Sequence, residues 1–127
     1  MADYRINWVE CKLSDILLSL ESGKRPKGGV NHYVQGIPSL GGEHLSVDGR
    51  FNFSKIRFIP PEFLQKMTSG LIECYDILVV KDGATTGRTS FVENQFPYQT
   101  ATINEHLFCL KIPKCIEAKW IFYQLWS

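Results

Sequence analysis

The chain has 127 residues, 44% hydrophobic and 13% aromatic, and its 14 Lys and Arg nearly balance its 13 Asp and Glu, for a net charge of +1. This length suits one domain with a hydrophobic core, and the composition is that of a folded rather than a disordered protein. The near-neutral charge excludes a strongly basic nucleic-acid binder, so an anionic partner must meet a local cluster of cations.

Targeting and redox features point to the cytoplasm. No apolar run approaches the roughly 20 residues of a membrane span, and the first residues are polar, without a signal-peptide core. The four cysteines include no C-x-x-C pair, which predicts reduced, mostly buried thiols: Cys11, Cys74, Cys109 and Cys115.

The N-terminal part predicts a strand, a short helix and an extended segment. Alternating apolar residues predict the strand over 4–12. Ser14 is expected to cap a helix over 16–20 that ends at Gly23. Residues 37–40 (IPSL) are expected to be extended, because a residue that precedes proline is disfavoured in the α region.

A basic loop separates these elements. Residues 23–29 (GKRPKGG) place three cations within four positions between glycines. Such a loop can follow a phosphate backbone, although a solvated loop without a partner is the alternative. The candidate phosphate contacts are Lys24, Arg25 and Lys27.

Between this loop and the middle of the chain, turn residues alternate with short apolar runs. Residues 41–44 (GGEH) predict a turn, and residues 55–59 predict a strand. Pro60 and Pro61 predict the start of a helix that runs to about Met67.

The most informative stretch is residues 76–92, DILVVKDGATTGRTSFV. Four consecutive branched apolar residues, 77–80, predict a strand buried on both faces, and residues 89–92 predict its antiparallel partner. Gly83 and Gly87 bracket the tip of this hairpin and allow the positive φ that a chain reversal needs. The tip is expected to present two cations and two hydroxyls: Lys81, Arg88, Thr85 and Thr86.

The C-terminal part predicts a loop over 94–98, a last strand over 106–112 and a helix over 116–127. The helix is apolar around almost its whole circumference, which indicates that it is buried or forms an interface. The residues predicted for that interface are Trp120, Phe122, Tyr123 and Trp126.

Enzymatic chemistry finds little support in these residues. His106 and Cys109 lie three apart on a predicted strand and so point to opposite faces, whereas zinc needs three or four convergent ligands. The hairpin tip lacks the Gly-Lys-Ser/Thr ending of a nucleotide-binding loop. A metal-dependent nuclease built on Glu10 and Lys12 stays open as an alternative. We expect no catalytic residue, no metal and no cofactor.

Nucleic-acid binding is the remaining hypothesis. The five loop cations Lys24, Arg25, Lys27, Lys81 and Arg88 can supply phosphate contacts. Loop side chains able to contact base edges are Thr85, Thr86, His44, Tyr98, Gln99 and Asn104.

Five stretches, in order, resemble patterns of target recognition domains in the specificity subunits of type I restriction–modification enzymes. Residues 76–88 resemble G-D-I-L-hydrophobic-x-x-x-G-A-T-x-G-K, and residues 8–16 resemble W-x-x-x-x-L-G-D-I. Residues 22–26 and 36–40 resemble x-G-x-x-P and G-I-P-W-hydrophobic. Residues 104–107 and then 120–127 resemble the closing strand and the start of a spacer helix. Tyr75 and Ser14 stand where the family often has glycine.

The resemblance implies a non-catalytic protein that recognises a double-stranded DNA sequence. Modification (methyltransferase) subunits, and through them the restriction subunit, are its implied partners. Residues 1–115 are then the target recognition domain, and residues 116–127 begin a spacer helix of about three turns. The family carries two such domains, so we expect a half-subunit, a truncated product or an excised domain.

The sequence thus predicts an α/β (α+β) fold: a single domain with a mixed, twisted β-sheet, short helices and a C-terminal helix. Its expected function is sequence-specific DNA recognition. A second possibility is an interaction module, in which the C-terminal helix mediates dimerisation or subunit contact.

Overall fold

The computed structural model describes residues 9–127. Its strands are β1 (Ser19–Ser22), β2 (Ile37–Leu40), β3 (Arg57–Ile59), β4 (Ile77–Val80), β5 (Thr89–Phe91), β6 (Thr102–Ile103) and β7 (Leu107–Lys111). Its α-helices are α1 (Pro61–Leu64) and α2 (Ala118–Trp126), and 3₁₀ turns occupy Leu13–Asp15 and Gly42–His44. The predicted α/β (α+β) class is confirmed.

The strands divide between two sheets, where the sequence predicted one. The larger sheet has the order β1-β7-β4-β5, and each neighbouring pair is antiparallel. The smaller sheet has the order β3-β2-β6, with β2 antiparallel to β3 and parallel to β6. This division cannot be read from strand patterns because it depends on which distant segments pair.

The larger sheet is covered on both faces, as the apolar run of β4 predicted. Leu78 and Val80 face a core shared with the smaller sheet, whereas Ile77 and Val79 face a second cluster that includes Phe122 of α2. Successive side chains of a strand point to opposite faces, so four apolar residues in a row supply two cores. The sheet therefore lies between the smaller sheet on one side and α2 on the other.

A buried ion pair joins the ends of β4 and β7. Lys111 Nζ donates to Asp76 Oδ2 at 2.5 Å, to the Leu71 carbonyl at 2.7 Å and to Glu73 Oε1 at 3.1 Å. The Cys109 thiol also donates to Asp76 Oδ2, at 3.2 Å.

The surroundings shift the pKa values of this cluster. Burial raises the pKa of Asp76, against the hydrogen bond from Lys111, which lowers it. Burial lowers the pKa of Lys111, but its hydrogen bond to Asp76 and the neighbouring negative charges outweigh burial and raise it overall. Burial also raises the pKa of the Cys109 thiol. The pair is therefore a paired, fully hydrogen-bonded structural element.

The predicted helix over 16–20 is wrong. A 3₁₀ turn at Leu13–Asp15 precedes β1, whose Ser19 and Leu20 pair with Lys111 and Leu110 of β7. Strand pairing along the edge of the larger sheet satisfies the backbone of this segment, while Ile16 and Leu17 pack against the second core cluster. Of the strand predicted over 4–12, residues 4–8 lie outside the described residues, and residues 9–12 are not in a strand.

The middle of the chain follows the prediction with shorter elements. The extended segment 37–40 is β2, and residues 41–44 form a 3₁₀ turn. The strand predicted over 55–59 begins at Arg57, and the helix predicted to Met67 is the single turn α1. The hairpin and the last strand are β4–β5 and β7.

The cysteines are unpaired, as predicted, but they are mostly exposed, contrary to prediction. Cys109 is buried in β7, whereas Cys11, Cys74 and Cys115 lie outside the strands and are exposed. Within residues 9–127, no helix is both long enough and apolar enough to cross a membrane.

Candidate functional site

An open groove of about 460 Å³ lies where the basic loop, the 3₁₀ turn after β2 and the hairpin tip meet. Its side chains carry both hydrogen-bond donors and acceptors: Arg25, Asn31, Ser39, Glu43, Arg57, Asp82, Thr85, Asn104 and His106. Arginines and carboxylates are present together, so the groove is not uniformly basic. A surface of this kind matches polar groups of both kinds better than a bare anion.

A network of side-chain contacts, with one ion pair, links three of the segments around this groove. His106 Nδ1 lies 2.5 Å from Asp82 Oδ1, which connects the beginning of β7 to the hairpin tip. His106 Nε2 lies 3.2 Å from Glu105 Oε1. Glu105 in turn receives two hydrogen-bonding contacts from the Arg25 guanidinium, through Nε at 3.0 Å and through Nη2. The network ties the basic loop, the tip and β7 together.

Backbone hydrogen bonds hold the hairpin tip. Gly87 N–H donates to the Val80 carbonyl at 2.8 Å, and Val80 N–H donates to the Arg88 carbonyl at 2.9 Å. Gly83 and Gly87 adopt φ of 103° and 91°, as predicted for this reversal. The Thr85 hydroxyl lies close to Gly42 in the turn after β2. A Cβ built on Gly42 would be 3.3 Å from Thr85 Oγ1.

The five predicted phosphate contacts do not form one cluster. Arg25 lines the groove, and Lys24 and Lys27 are exposed in the same loop. Lys81 Nζ lies 5.3 Å from the centre of the Phe108 ring, on the α2 side of the larger sheet. Arg88 is half-buried and donates to the Leu45 carbonyl at 3.4 Å.

The prediction that His44 contacts bases is wrong. Its side chain is 1% exposed, Gly41 N–H donates to its Nδ1 at 2.9 Å, and its Nε2 lies 2.9 Å from the Lys55 carbonyl. A histidine with both ring nitrogens bonded to backbone atoms is a structural link. Asn104 is also buried, and its Oδ1 accepts the His106 N–H at 2.9 Å.

The other base-contacting candidates are spread over the surface. Thr85 lines the groove, and Thr86 is exposed at the tip, where its hydroxyl donates to the Gly83 carbonyl at 2.7 Å. Tyr98 is half-buried in an aromatic cluster with Phe53, at 5.2 Å between ring centres. Gln99 is exposed beside a different groove. From the predicted set, the groove therefore unites Arg25, Thr85 and the buried Asn104.

The sequence patterns did not indicate Arg57, Asn31 or His106 as groove residues. Arg57 lies in a strand whose neighbouring residues are aromatic and apolar, and no charge cluster marks it. Its position beside the basic loop depends on the pairing of β3 with β2. The available signal was Pro38, which predicted β2, the strand that pairs with β3 and so positions Arg57.

Three of the four residues predicted for a partner interface are exposed, and the fourth is buried. Trp120, Tyr123 and Trp126 are exposed, and Trp126 Nε1 donates to the Val47 carbonyl at 3.1 Å. Phe122 is 6% exposed and stacks on Phe91 at 5.4 Å between ring centres. Phe122 is therefore wrong as an interface residue, because it fixes α2 to its own domain.

Within residues 9–127, no group of three or more His, Cys, Asp and Glu side chains is placed to hold a metal ion. Glu10, the carboxylate of the nuclease alternative, is exposed in a segment outside the strands. The acid–lysine pair predicted on one face of a strand therefore has no strand beneath it.

The sequence matches no protein-family model and no curated protein. Solved structures of similar fold include the following two. One comes from work on complex assembly and conformational transition of the type I R-M (restriction–modification) system; its TM-score is 0.67 at 20% identity, over 98% of this chain and 28% of that chain. The other is the HsdS subunit from Thermoanaerobacter tengcongensis, with a TM-score of 0.66 at 16% identity over the same shares. At these identities the similarity establishes the fold alone.

Proposed function

We propose that this chain is a DNA target recognition domain of a type I restriction–modification specificity subunit. It binds a double-stranded DNA sequence and performs no catalysis of its own. The similarity of fold to an HsdS subunit and to a chain from the type I R-M system, over 98% of its length, carries this proposal. The five stretches that resemble the family's patterns support it from the sequence side.

The composition of the groove supports contact with base edges. Base edges in the major groove present donors and acceptors in patterns that differ between base pairs. Thr85 and the arginines can donate, and Glu43 and Asp82 can accept, for example from the amino group of cytosine. A duplex phosphate offers acceptors alone and would be repelled by the two carboxylates.

Phosphate contacts fit the rim of the groove. Lys24 and Lys27 are exposed on the loop that also supplies Arg25 to the groove. Because the whole chain carries a net charge of +1, its affinity for DNA depends on such local cations. The logarithm of the binding constant falls as the logarithm of the salt concentration rises, and each phosphate contact adds about 0.9 to the magnitude of that slope, here called the salt slope.

Selection of bound sequences from randomised duplex DNA tests the proposal directly. The chain is expected to enrich a defined sequence, with modification subunits present and absent as separate arms. Enrichment of no sequence in either arm would exclude sequence-specific recognition. The modification subunits, and through them the restriction subunit, are the proposed protein partners, which places the chain in the cytoplasm.

A charge-matched comparison tests the rim. Lys24→Ala with Lys27→Ala should weaken binding to all duplexes and lower the salt slope by about 1.8, from two contacts of about 0.9 each. Lys66→Ala with Lys114→Ala removes the same charge from exposed positions outside the groove and should leave the slope unchanged. An equal reduction of the salt slope in both variants would show that only net charge matters.

Lys81 and Arg88 remain proposed phosphate contacts at the end of the hairpin. Both require rearrangement before they can bind phosphate, since Lys81 lies over Phe108 and Arg88 is bonded to the Leu45 carbonyl. If Lys81→Ala with Arg88→Ala leaves both affinity and salt slope unchanged, the assignment of these two residues is wrong.

The exposed face of α2 supports a second function, association with another protein. Trp120 is 57% exposed, and Tyr123, Leu125 and Trp126 are also exposed on this short helix. Exposed aromatic side chains are enriched at protein interfaces. Sedimentation of the chain with Trp120→Gln and Tyr123→Gln tests association without removing the buried residues of α2. A monomer at all concentrations, with and without these substitutions, would exclude self-association.

A further inference from the structure

The two arginines of the groove have different partners. Arg25 is bound through two of its nitrogens to the Glu105 carboxylate, in a loop. Arg57 Nη1 donates instead to the amide oxygen of Asn31 at 2.6 Å. Across the described range 9–127, no Asp or Glu forms an ion pair with Arg57. Among residues 9–127 the guanidinium of Arg57 has no carboxylate partner, and its one hydrogen bond there leaves most of its N–H groups for a ligand.

The backbone of Arg57 is also the more firmly held of the two. Arg57 lies in β3 opposite Ser39 of β2, and β2 is the central strand of the smaller sheet. Two residues further on, Ile59 is fully buried. A side chain on a paired strand presents its head group with less conformational freedom than one on a loop.

The surroundings favour a neutral acceptor over a phosphate. The carboxylates of Glu43 and Asp82 line the same groove as Arg57. A phosphate brought to Arg57 would meet those charges, whereas a base edge would not. Guanine offers N7 and O6 side by side as two acceptors, which the planar guanidinium contacts together.

We infer that Arg57 is the specificity-determining residue of the groove and that it contacts a guanine of the target, with Asn31 as a positioning residue. This inference rests on the proposed function. Asn31 holds one guanidinium nitrogen, which leaves the opposite edge of the guanidinium to face the base. Arg25, in contrast, is held by Glu105 and belongs to the network of contacts that shapes the groove.

The test compares sequences selected from randomised duplex DNA by the wild-type chain and by Arg57→Ala. The variant should lose its preference for guanine at one position of the selected sequence, by about 5- to 150-fold, and keep the preferences elsewhere. Arg57→Lys keeps the charge but not the two-pronged geometry, so it should lose most of the same preference. Arg50→Ala, an exposed arginine outside this groove, is the matched control and should change nothing.

A modified base provides the chemical readout. Replacing that guanine by 7-deazaguanine removes N7 and should weaken binding of the wild-type chain but not weaken Arg57→Ala further. Asn31→Ala should reduce the same preference without changing the salt slope, which a purely structural role would not do. Thermal unfolding of each variant verifies that it is folded.

The outcomes separate the inference from the function beneath it. If the wild-type chain selects no sequence, the proposed function fails. If it selects a sequence that Arg57→Ala selects equally well, the function stands and the inference is overturned. A uniform loss of affinity with a salt slope lowered by about 0.9 would make Arg57 a phosphate contact and would also overturn it.

Discussion

Replacing Lys111 with Met removes the cation that accompanies a buried carboxylate. The side chain of Asp76 is 5% exposed and that of Lys111 11% exposed. Met retains an apolar stem of similar length, so the packing around β7 is largely kept. What is lost is the 2.5 Å contact to Asp76 Oδ2 and the bond to the Leu71 carbonyl.

The structure sets the expected size of the effect. Asp76 keeps the Glu73 N–H at 2.7 Å and the Cys109 thiol at 3.2 Å, but its charge stays buried without a counter-ion. Removing one partner of a buried pair costs about 3–5 kcal/mol of unfolding free energy. For a chain of this size the melting temperature should fall by about 12–20 °C.

The pH dependence identifies the cause. Lys111 lowers the pKa of Asp76 against burial, so its removal raises that pKa further above the ordinary value of 3.8. A native-state pKa above the unfolded-state pKa means that the native state binds the extra proton, so stability increases as the pH falls through the raised pKa. The deficit of Lys111→Met should therefore shrink between neutral pH and about pH 4.

Urea unfolding at several pH values measures this deficit. Glu73→Gln is the matched control, because Glu73 is an exposed partner of the same lysine and should cost about 1 kcal/mol or less. Asp76→Asn combined with Lys111→Met should be more stable than Lys111→Met alone, since no charge is then buried. A deficit that is independent of pH, or a double variant no more stable than the single one, would refute the reasoning.

Three further predictions concern packing and exposure. Gly23→Ala should lower the free energy of unfolding in urea by more than about 3 kcal/mol, because the new Cβ would lie 1.7 Å from the Ile103 carbonyl oxygen. In the control Gly28→Ala, the new Cβ has nothing within 4 Å but the residue adopts φ +90°, so the loss should be about 1 kcal/mol. Equal losses would contradict the close approach of Gly23 to Ile103. Phe122→Ala should lower the free energy of unfolding by about 3–5 kcal/mol and Trp120→Ala by less than about 1 kcal/mol, because of these two only Phe122 is buried against the sheet. Similar losses for the two variants would show that α2 does not pack on the sheet through Phe122. Reaction of the native protein with an aromatic disulfide should show three fast thiols, Cys11, Cys74 and Cys115. Cys109 should react slowly, because it is buried and burial raises the pKa of its thiol. Four fast thiols would place Cys109 at the surface.

The hairpin and the last strand were predictable because their signals are local. The four branched apolar residues of β4 require burial on both faces, and glycines 83 and 87 permit the backbone of the tip. The helix predicted over 16–20 failed for the opposite reason. Its short apolar run fits either element, and pairing with β7, some 90 residues away in sequence, decided for a strand.

The candidate site was less predictable than the fold. Composition identified the basic loop, and Arg25 does line the groove. Its place in a predicted turn favoured His44 as a base contact, yet its side chain is buried and hydrogen-bonded to the backbone of Gly41 and Lys55. Burial of a polar side chain depends on partners far along the chain, which residue type and local spacing do not reveal.

By itself, the sequence determined the α/β class, the hairpin with its glycine tip and the order of stretches that resembles type I recognition domains. These features follow from the chemistry of neighbouring residues. The tertiary structure alone decided the two-sheet arrangement, the burial of His44 and Phe122, and the meeting of Arg57, Arg25 and Thr85 in one groove. Each of these depends on which distant strands pair, and pairing is chosen by the free energy of the whole packed core rather than by any one segment.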